Sequence, residues 1–577
     1  MILSKNLLSK INRRLKRLYP NDNLEAMVER LRLVAGRYSI EEISQQKKPS
    51  WNEYDVILIT YADMVKSGSE VPIKCLMRFC QKYLQGSIRN IHLLPFYPWS
   101  SDDGFSVIDY RKVKKEYGDW SDIERLRQSF TLMFDLVLNH CSSKSPWFKD
   151  FVSGIEPARH YFLEVDPKTD LSAVVRPRTS PLLTPTQTRS GKSHVWTTFS
   201  ADQVDLNWQN PDLLFEFLDI LVLYVSHGAR FIRLDAVPYL WKKFETSCIH
   251  LPETHEVIKL IRDFLKLVAP EVVIITETNV PHQENISYFG KGDEAQMVYN
   301  FTLPPLLLYA LINEDSTQLT QWARDLDTPS KGTTYFNFTA SHDGIGMRPL
   351  QGILKDKDID KLAAIIQARN GKVSSRTMSD GSQRPYELNV TYFSALCDPK
   401  TPEYNYKRFL ISQTLAMSLQ GIPGVYFNSL IAAENNIIGF EKTGQNRTIN
   451  RMKWDESELN NVLESPENPK ANFFFEYLRR LCKRADLPAF HPDAPQRIHQ
   501  WSRSLFVVER CSLDNNQKLW AIFNLSRKKV RLSSILKKHQ LDEISNHWYD
   551  ALTDRNFIIS KQSVSLLPFE CLWLVAK

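Results

Sequence analysis

Phe231-Ile232-Arg233-Leu234-Asp235-Ala236-Val237 reads as a short buried strand that carries an arginine and an aspartate to its C-terminal end. Residues two apart on a strand share a face, so Arg233 and Asp235 project together while Ile232 and Leu234 pack on the other side. A guanidinium beside a carboxylate favours the ionised acid at neutral pH. An aspartate nucleophile needs that state. An isolated R-x-D is an ordinary ion pair at a strand end; three further stretches make this one part of a pattern.

The run Thr131 to Val137 continues into Leu138-Asn139-His140, Val272 to Thr276 is followed by Glu277, and Tyr335 to Ala340 runs into Ser341-His342-Asp343. Continuous apolar runs separated by helical patterns are the mark of parallel strands covered on both faces. Polar residues gathered at their C-terminal ends are where a (β/α)₈ barrel builds its site. The expected fold is therefore α/β, a TIM barrel with insertions. Asp235, Glu277 and Asp343 then supply a nucleophile, an acid/base and a third carboxylate, the set a retaining reaction at an acetal carbon requires.

The chain has 577 residues, room for one large barrel plus smaller domains. A 43% hydrophobic and 24% charged composition is that of a globular protein, and no apolar run reaches the length of a transmembrane helix. The net charge of +7 is small for this size, and the basic residues are scattered, against a nucleic-acid role. The exception is the N-terminus, where Lys5, Lys10, Arg13, Arg14, Lys16 and Arg17 precede the first acid, Asp22. A solvated leading helix is expected there, not a membrane or targeting segment. The eight cysteines lack paired metal-ligand spacing, so reduced thiols and a cytoplasmic location are expected. No phosphate-cradling glycine loop, dinucleotide fingerprint or zinc motif appears, and no cofactor or metal is implied.

Along the chain, 1–52 reads as a helical extension and 53–140 as the first part of the barrel. Strands are expected at Val56–Thr60 and Ile91–Leu94, with the third ending at His140. Residues 141–204 form a first insertion, since loops this long inside a barrel are usually functional. The barrel resumes over 205–346, with a sixth strand at Met297–Phe301 and a seventh ending near His342. A second insertion with a mobile loop covers 347–406. The barrel closes over 407–484, its eighth strand at Gly424–Phe427. Short alternating strands from 485 to 577 predict a C-terminal antiparallel β domain.

At these residues the chain resembles the α-amylase superfamily. Asp135 to His140, Arg233 to Asp235, Glu277 and His342-Asp343 match its four strand-end motifs in order and spacing, and Val204-Asp205-Leu206-Asn207 its accessory fifth. Leu58 to Asp63, His92 to Phe96, Gly104-Phe105, Thr246 to Cys248, Leu303 to Leu306 and Asp343 to Gly346 resemble the sucrose-phosphorylase-like subfamily. That resemblance implies transfer of an α-glucosyl group to phosphate by double displacement. It casts Asp235 as nucleophile, Glu277 as acid/base and Asp343 as transition-state stabiliser. His140 and His342 would hold glucose hydroxyls, and Asp102 with Arg451 would close the far side. Phe105 and Tyr239 would form an apolar wall. Arg178, or Arg176 beside it, corresponds to the family's phosphate arginine, and Tyr386 to the tyrosine of its second-insertion loop.

Sucrose phosphorylases carry a glutamine after that tyrosine and a glycine before the Tyr239 position; here they are Glu387 and Pro238. The loop Arg384 to Tyr392 and the segment Pro98 to Phe105 resemble instead the glucosylglycerate phosphorylases, which split 2-O-α-glucosyl-glycerate with phosphate. A carboxylate leaving group calls for an extra cation, with Arg376 and Arg384 as candidates. Sucrose or sucrose 6′-phosphate as substrate, a hydrolase or transglucosidase, a catalytically dead sugar-binding relative, and a homodimer all stay open.

Overall fold

The computed structural model describes residues 5–38, 51–377, 383–545, 547–558 and 564–577. Parts of the expected N-terminal extension (1–4 and 39–50) and the loop positions 378–382 lie outside the described residues.

Two helices lead the chain, α1 (Lys5–Leu18) and α2 (Leu24–Gly36). Ile11, Leu15 and Leu18 recur at helical spacing and form the buried stripe of α1. Asn23 caps α2, its side chain accepting from Ala26 N at 3.2 Å. The basic run is not all solvated. Arg14 is buried and reaches Asp263 (2.8 Å), Glu256 (3.1 Å) and Asp293 (3.4 Å), the first two on the barrel helix Pro252–Val268.

Eight parallel strands close the barrel: β1 (Ile57–Thr60), β2 (Asn90–Leu93), β3 (Thr131–Val137), β4 (Ala229–Asp235), β5 (Val273–Thr276), β6 (Met297–Tyr299), β7 (Thr334–Phe338) and β8 (Ile422–Tyr426). They follow one another around the barrel, and β8 pairs with β1. Their side chains are buried almost throughout, because helices cover the outside and the barrel interior is packed. The expected boundaries run too far at several C-terminal ends: β3 stops at Val137 rather than His140, β6 at Tyr299 rather than Phe301, and β7 at Phe338 rather than near His342. The motif residues have left the ladder. His140–Ser142 pairs antiparallel with Gln203–Asp205, and the carbonyls of Ser341, His342 and Asp343 accept from the Asn450 side chain. The eighth strand instead starts earlier, at Ile422, and ends at Tyr426 rather than Phe427.

Between β3 and β4 the chain builds a small lobe with the hairpin Leu183–Thr188/Gly191–Trp196. After β7, Ile345–Gly346 pairs with Gln383–Asn389, which also pairs with Lys372–Thr377; the helix Asp356–Ala368 lies alongside. Near the C-terminus an antiparallel sheet runs in the order Gln496–Ser502, Leu505–Cys511, Lys518–Asn524, Cys571–Ala576, His547–Asp550, Arg555–Ile558. Two buried arginines lie at its junction with the barrel, Arg510 on the sheet strand Leu505–Cys511 and Arg484 on the preceding helix Pro469–Ala485. Arg484 donates to Met417 O and Arg510 to Ser418 O, at the end of the helix Asn405–Ser418, where cations suit the helix dipole. All eight cysteines are free, and no helix among the described residues is long and apolar enough to cross a membrane.

Candidate active site

Asp235 is the last residue of β4, and the turn after it is sharp: Ala236 adopts a left-handed conformation at φ +52°. That turn aims the Ala236 N–H at Glu277, which accepts it at 3.2 Å. Glu277 comes directly after β5, and its own N–H donates to Leu234 O at 3.1 Å. The two carboxylates are thus held by adjacent strand ends. Asp343 enters from the loop after β7, its backbone N–H donating to Ser341 Oγ at 3.2 Å.

Arg233 stands under the group. Its guanidinium donates to Asp235 at 2.8 Å and also to Asp135, which His92 holds from the other side at 2.7 Å. Burial raises the Asp135 carboxyl, but Arg233 and His92 outweigh it and keep the acid below its ordinary value. Asp135 therefore shares the cation that strand spacing alone would assign wholly to Asp235. For Asp235 burial wins: desolvation pushes it up, Arg233 opposes, and Glu277, Asp135 and Asp343 push it further. Glu277 is also raised, by burial against Arg233 and with Asp343 adding. Arg233 favours the ionised aspartate, as its place beside the acid predicts, but burial and the neighbouring carboxylates outweigh it. The pair holds a proton to higher pH than free acids would, and its titration belongs to both groups. Hydrogen bonding favours that proton on Glu277, because Asp235 touches a guanidinium and Glu277 only a backbone N–H.

Asp343 behaves differently. Burial raises it, yet Arg447 at 2.7 Å and Arg451 at 4.0 Å hold it below the ordinary value. Arg447 also grips Glu387 with two nitrogens, at 2.9 and 3.1 Å, and Arg451 reaches Asp102 (3.4 Å), Asp103 (2.7 Å) and His342 O (2.8 Å). Asp102 and Asp103 sit at φ +51° and +49°, a left-handed pair that aspartate tolerates better than most residues. Gly104 beside them is obligatory, since a Cβ there would lie 2.5 Å from Pro95 O. His342 stacks on Phe105 at 4.6 Å with the rings nearly parallel, and His140 contacts Phe105 O at 2.9 Å. Burial lowers both histidines, His342 furthest, with Arg233 and Arg451 adding. Neutral imidazoles remain, suited to hydrogen-bonding hydroxyls.

Phe105, His140, Tyr239, Arg178 and Tyr386 line the same cavity as the three carboxylates. The Arg178 guanidinium lies 5.8 Å from the Tyr386 ring centroid. Not every candidate joins them. Arg176 is exposed and donates to Ser180 O within its own loop. Arg384 pairs with Asp356 at 3.0 Å on the neighbouring helix and lines an outer cavity, not the inner one. Arg376 lines the same outer cavity. Glu387 reaches the pocket, but Arg447 and the Gly344 N–H occupy its oxygens. Arg447 is a site residue that the sequence motifs did not single out. Its signal was a second arginine four residues before Arg451; the chain there is a 3₁₀ turn, Asn446–Asn450, and the two guanidiniums converge on shared carboxylates, Asp102 and Asp343.

Asn139 and Asp205 converge on one more buried cation: the Lys242 ammonium lies 2.6 Å from an oxygen of each and 2.6 Å from Tyr239 O. It ties the third strand end, the first lobe and the Pro238-Tyr239 turn together and fills the space between those oxygens.

The catalytic domain of the α-amylase family matches residues 81–365. The chain is 43% identical to a glucosylglycerate phosphorylase of Escherichia coli (strain K12), covering 92% of this chain and 94% of that one. It is 45% identical to a glucosylglycerate phosphorylase of Spirochaeta thermophila over 90% and 89% of the two chains. Among solved structures, a sucrose 6F-phosphate phosphorylase from Thermoanaerobacter thermosaccharolyticum superposes with a TM-score of 0.72 at 24% identity, covering 84% of this chain and 95% of that one. Barrel, strand-end carboxylates and full-length likeness lead to one assignment: the chain belongs to the α-amylase superfamily and, within it, to the sucrose-phosphorylase-like subfamily.

Proposed function

We propose that this protein is a retaining α-glucoside phosphorylase that splits glucosylglycerate with inorganic phosphate into α-glucose 1-phosphate and glycerate. One observation carries the reading. Asp235, Glu277 and Asp343 line one cavity with Arg178 and Tyr386, in a chain 43–45% identical over nearly its full length to glucosylglycerate phosphorylases.

In the first half-reaction Asp235 attacks the anomeric carbon as the glycosidic bond breaks, and Glu277 gives its proton to the departing glycerate oxygen. A glucosyl ester forms on Asp235. Their carboxyls are expected at the retaining separation of about 5–5.5 Å. Asp343 accepts hydrogen bonds from sugar hydroxyls that tighten as positive charge develops at the anomeric carbon. His140 and His342 hold further hydroxyls, with Asp102 and Arg451 behind them. In the second half-reaction an oxygen of hydrogen phosphate attacks the anomeric carbon, the phosphate's proton passes to the Glu277 carboxylate and restores the acid, and Asp235 departs as carboxylate. Phosphate arrives already nucleophilic, so the site has to bind and orient it, and the fork of Arg178 suits that task.

The test is product analysis with and without phosphate. α-Glucose 1-phosphate should form only with phosphate, and glucose release should be minor. Equal glucose release in both would make the chain a hydrolase. Arg178→Ala should slow phosphorolysis far more than residual hydrolysis. An acceptor screen in the synthetic direction should rank glycerate above fructose, fructose 6-phosphate and glycerol; fructose in first place would assign the chain to sucrose instead.

A further inference from the structure

Most arginines around the pocket are neutralised. Arg233 has Asp135 and Asp235, Arg447 has Asp343 and Glu387, Arg451 has Asp102 and Asp103, and Arg384 has Asp356. Arg348, which belongs to none of the sequence motifs, is different. It comes just after the short strand Ile345–Gly346, and the Met347 N–H donates to Tyr386 O at 2.9 Å, which sets Arg348 beside the hairpin strand that carries Tyr386. Its Nε is sealed from solvent with no acceptor. Among the described residues no carboxylate pairs with Arg348 or with Arg376.

Both arginines line an outer cavity, together with Arg384 and the two carboxylates Asp356 and Asp360 that pair with it, and that cavity adjoins the glucose pocket: Gly346 and Tyr386 border the inner one, and their chain neighbours Met347 and Pro385 the outer one. The charge of Arg348 acts on the hydroxyls of Tyr239 and Tyr386 and depresses Arg376, whose burial works in the same direction. Two guanidiniums with no carboxylate partner among the described residues repel where Arg348 acts on Arg376, and a buried donor without an acceptor is costly. An anion between the tyrosine wall and these cations removes both penalties. An anionic acceptor also needs such compensation, because it must approach a pocket that already holds Asp235, Glu277 and Asp343.

Resting on the glucosylglycerate reading, we propose that Arg348, with Arg376 beside it, is the specificity-determining cation that recognises the carboxylate of a small hydroxy-acid acceptor, while Arg178 serves phosphate. The comparison that isolates it is glycerate against glycerol, which differ in a carboxylate replaced by a neutral hydroxymethyl group.

The experiment measures kcat/KM for D-glycerate and for glycerol with α-glucose 1-phosphate as donor, in the full-length wild type, Arg348→Gln and Arg348→Lys, together with the KM for phosphate in phosphorolysis. The glycerate-over-glycerol ratio should fall about ten- to a hundredfold in Arg348→Gln, the span of one charge-assisted hydrogen bond. Arg348→Lys should recover part of it, and the phosphate KM should rise less than the glycerate KM. A wild type without preference overturns both this inference and the reading it rests on. A wild-type preference that survives Arg348→Gln, an equal loss of both acceptors, or a larger rise in the phosphate KM overturns this inference alone.

Discussion

At the scale of residues, the site divides its carboxylates by what each one touches. Asp235 meets a guanidinium that is already shared, Glu277 meets a backbone N–H, and Asp343 meets Arg447. If Glu277 is the acid, Glu277→Gln should lower kcat by about 10²–10⁴ on substrates whose leaving oxygen needs a proton. α-Glucosyl fluoride, whose leaving group needs none, should lose much less; an equal loss on both donors would remove the assignment. Arg447 sets the pH range. Its charge opposes the burial that raises Asp343 and Glu277, so Arg447→Met should let both carboxyls bind protons at higher pH. The acidic limb of kcat/KM reports loss of ionised carboxylate and the basic limb loss of the protonated acid. Both limbs should therefore move toward higher pH, as a pH profile of the variant would read. A downward shift of the acidic limb would contradict the geometry.

At the scale of elements, α1 is fastened by a buried charge cluster rather than by its apolar stripe alone. Arg14 keeps only 7% of its side chain exposed, and Asp263 keeps 2%. Removing one partner of a buried pair leaves an uncompensated charge and costs about 3–5 kcal/mol. Arg14→Met should lose that much stability in urea unfolding, whereas Arg13→Met, on the same helix and outside that cluster, should stay within about 0.5 kcal/mol. The turn after β4 has a similar anchor in Lys242. Lys242→Met removes the ammonium between Asn139, Asp205 and Tyr239 O and leaves buried oxygens unpaired. Loss of kcat/KM together with a lower Tm is the expected result, since the same turn carries Tyr239 into the pocket.

At the scale of the whole molecule, the antiparallel sheet is part of the folding unit. One apolar core runs from α1 through the barrel to Phe506, Ala521, Phe523 and Trp573 on one face of that sheet. Arg484 and Arg510 are fully buried across the same junction, with backbone carbonyls as their partners. Truncation after Ala485 would expose the barrel surface that this face covers and remove the Arg510 contacts to the end of the helix Asn405–Ser418. It should leave no soluble barrel, as expression and sedimentation of the truncated chain would reveal; a soluble, active barrel would show the sheet to be an independent appendage.

The barrel, and the rim on which its polar residues gather, were legible in the chain alone. Apolar runs ending in Asp235, Glu277 and His342-Asp343 have a single economical arrangement, because parallel strands buried on both faces deliver the residues at their C-terminal ends to one rim. Element ends were less legible. Whether Ser341 to Asp343 continues β7 depends on Asn450, more than a hundred residues away, which takes their carbonyls. The charges were legible only as an inventory. Sequence spacing put Arg233 beside Asp235, but Asp135 and His92 come from other strands, and they alter how much of that cation the aspartate receives. The acceptor side was decided by tertiary structure in the same way. Arg384 and Arg348 look alike in the chain, yet the fold sets one against Asp356 and gives the other no carboxylate partner among the described residues, though both line the same outer cavity. A residue's neighbours within its own strand are set by the periodicity of the backbone; the long-range electrostatic partners that settle its charge and its task exist only once the chain has closed.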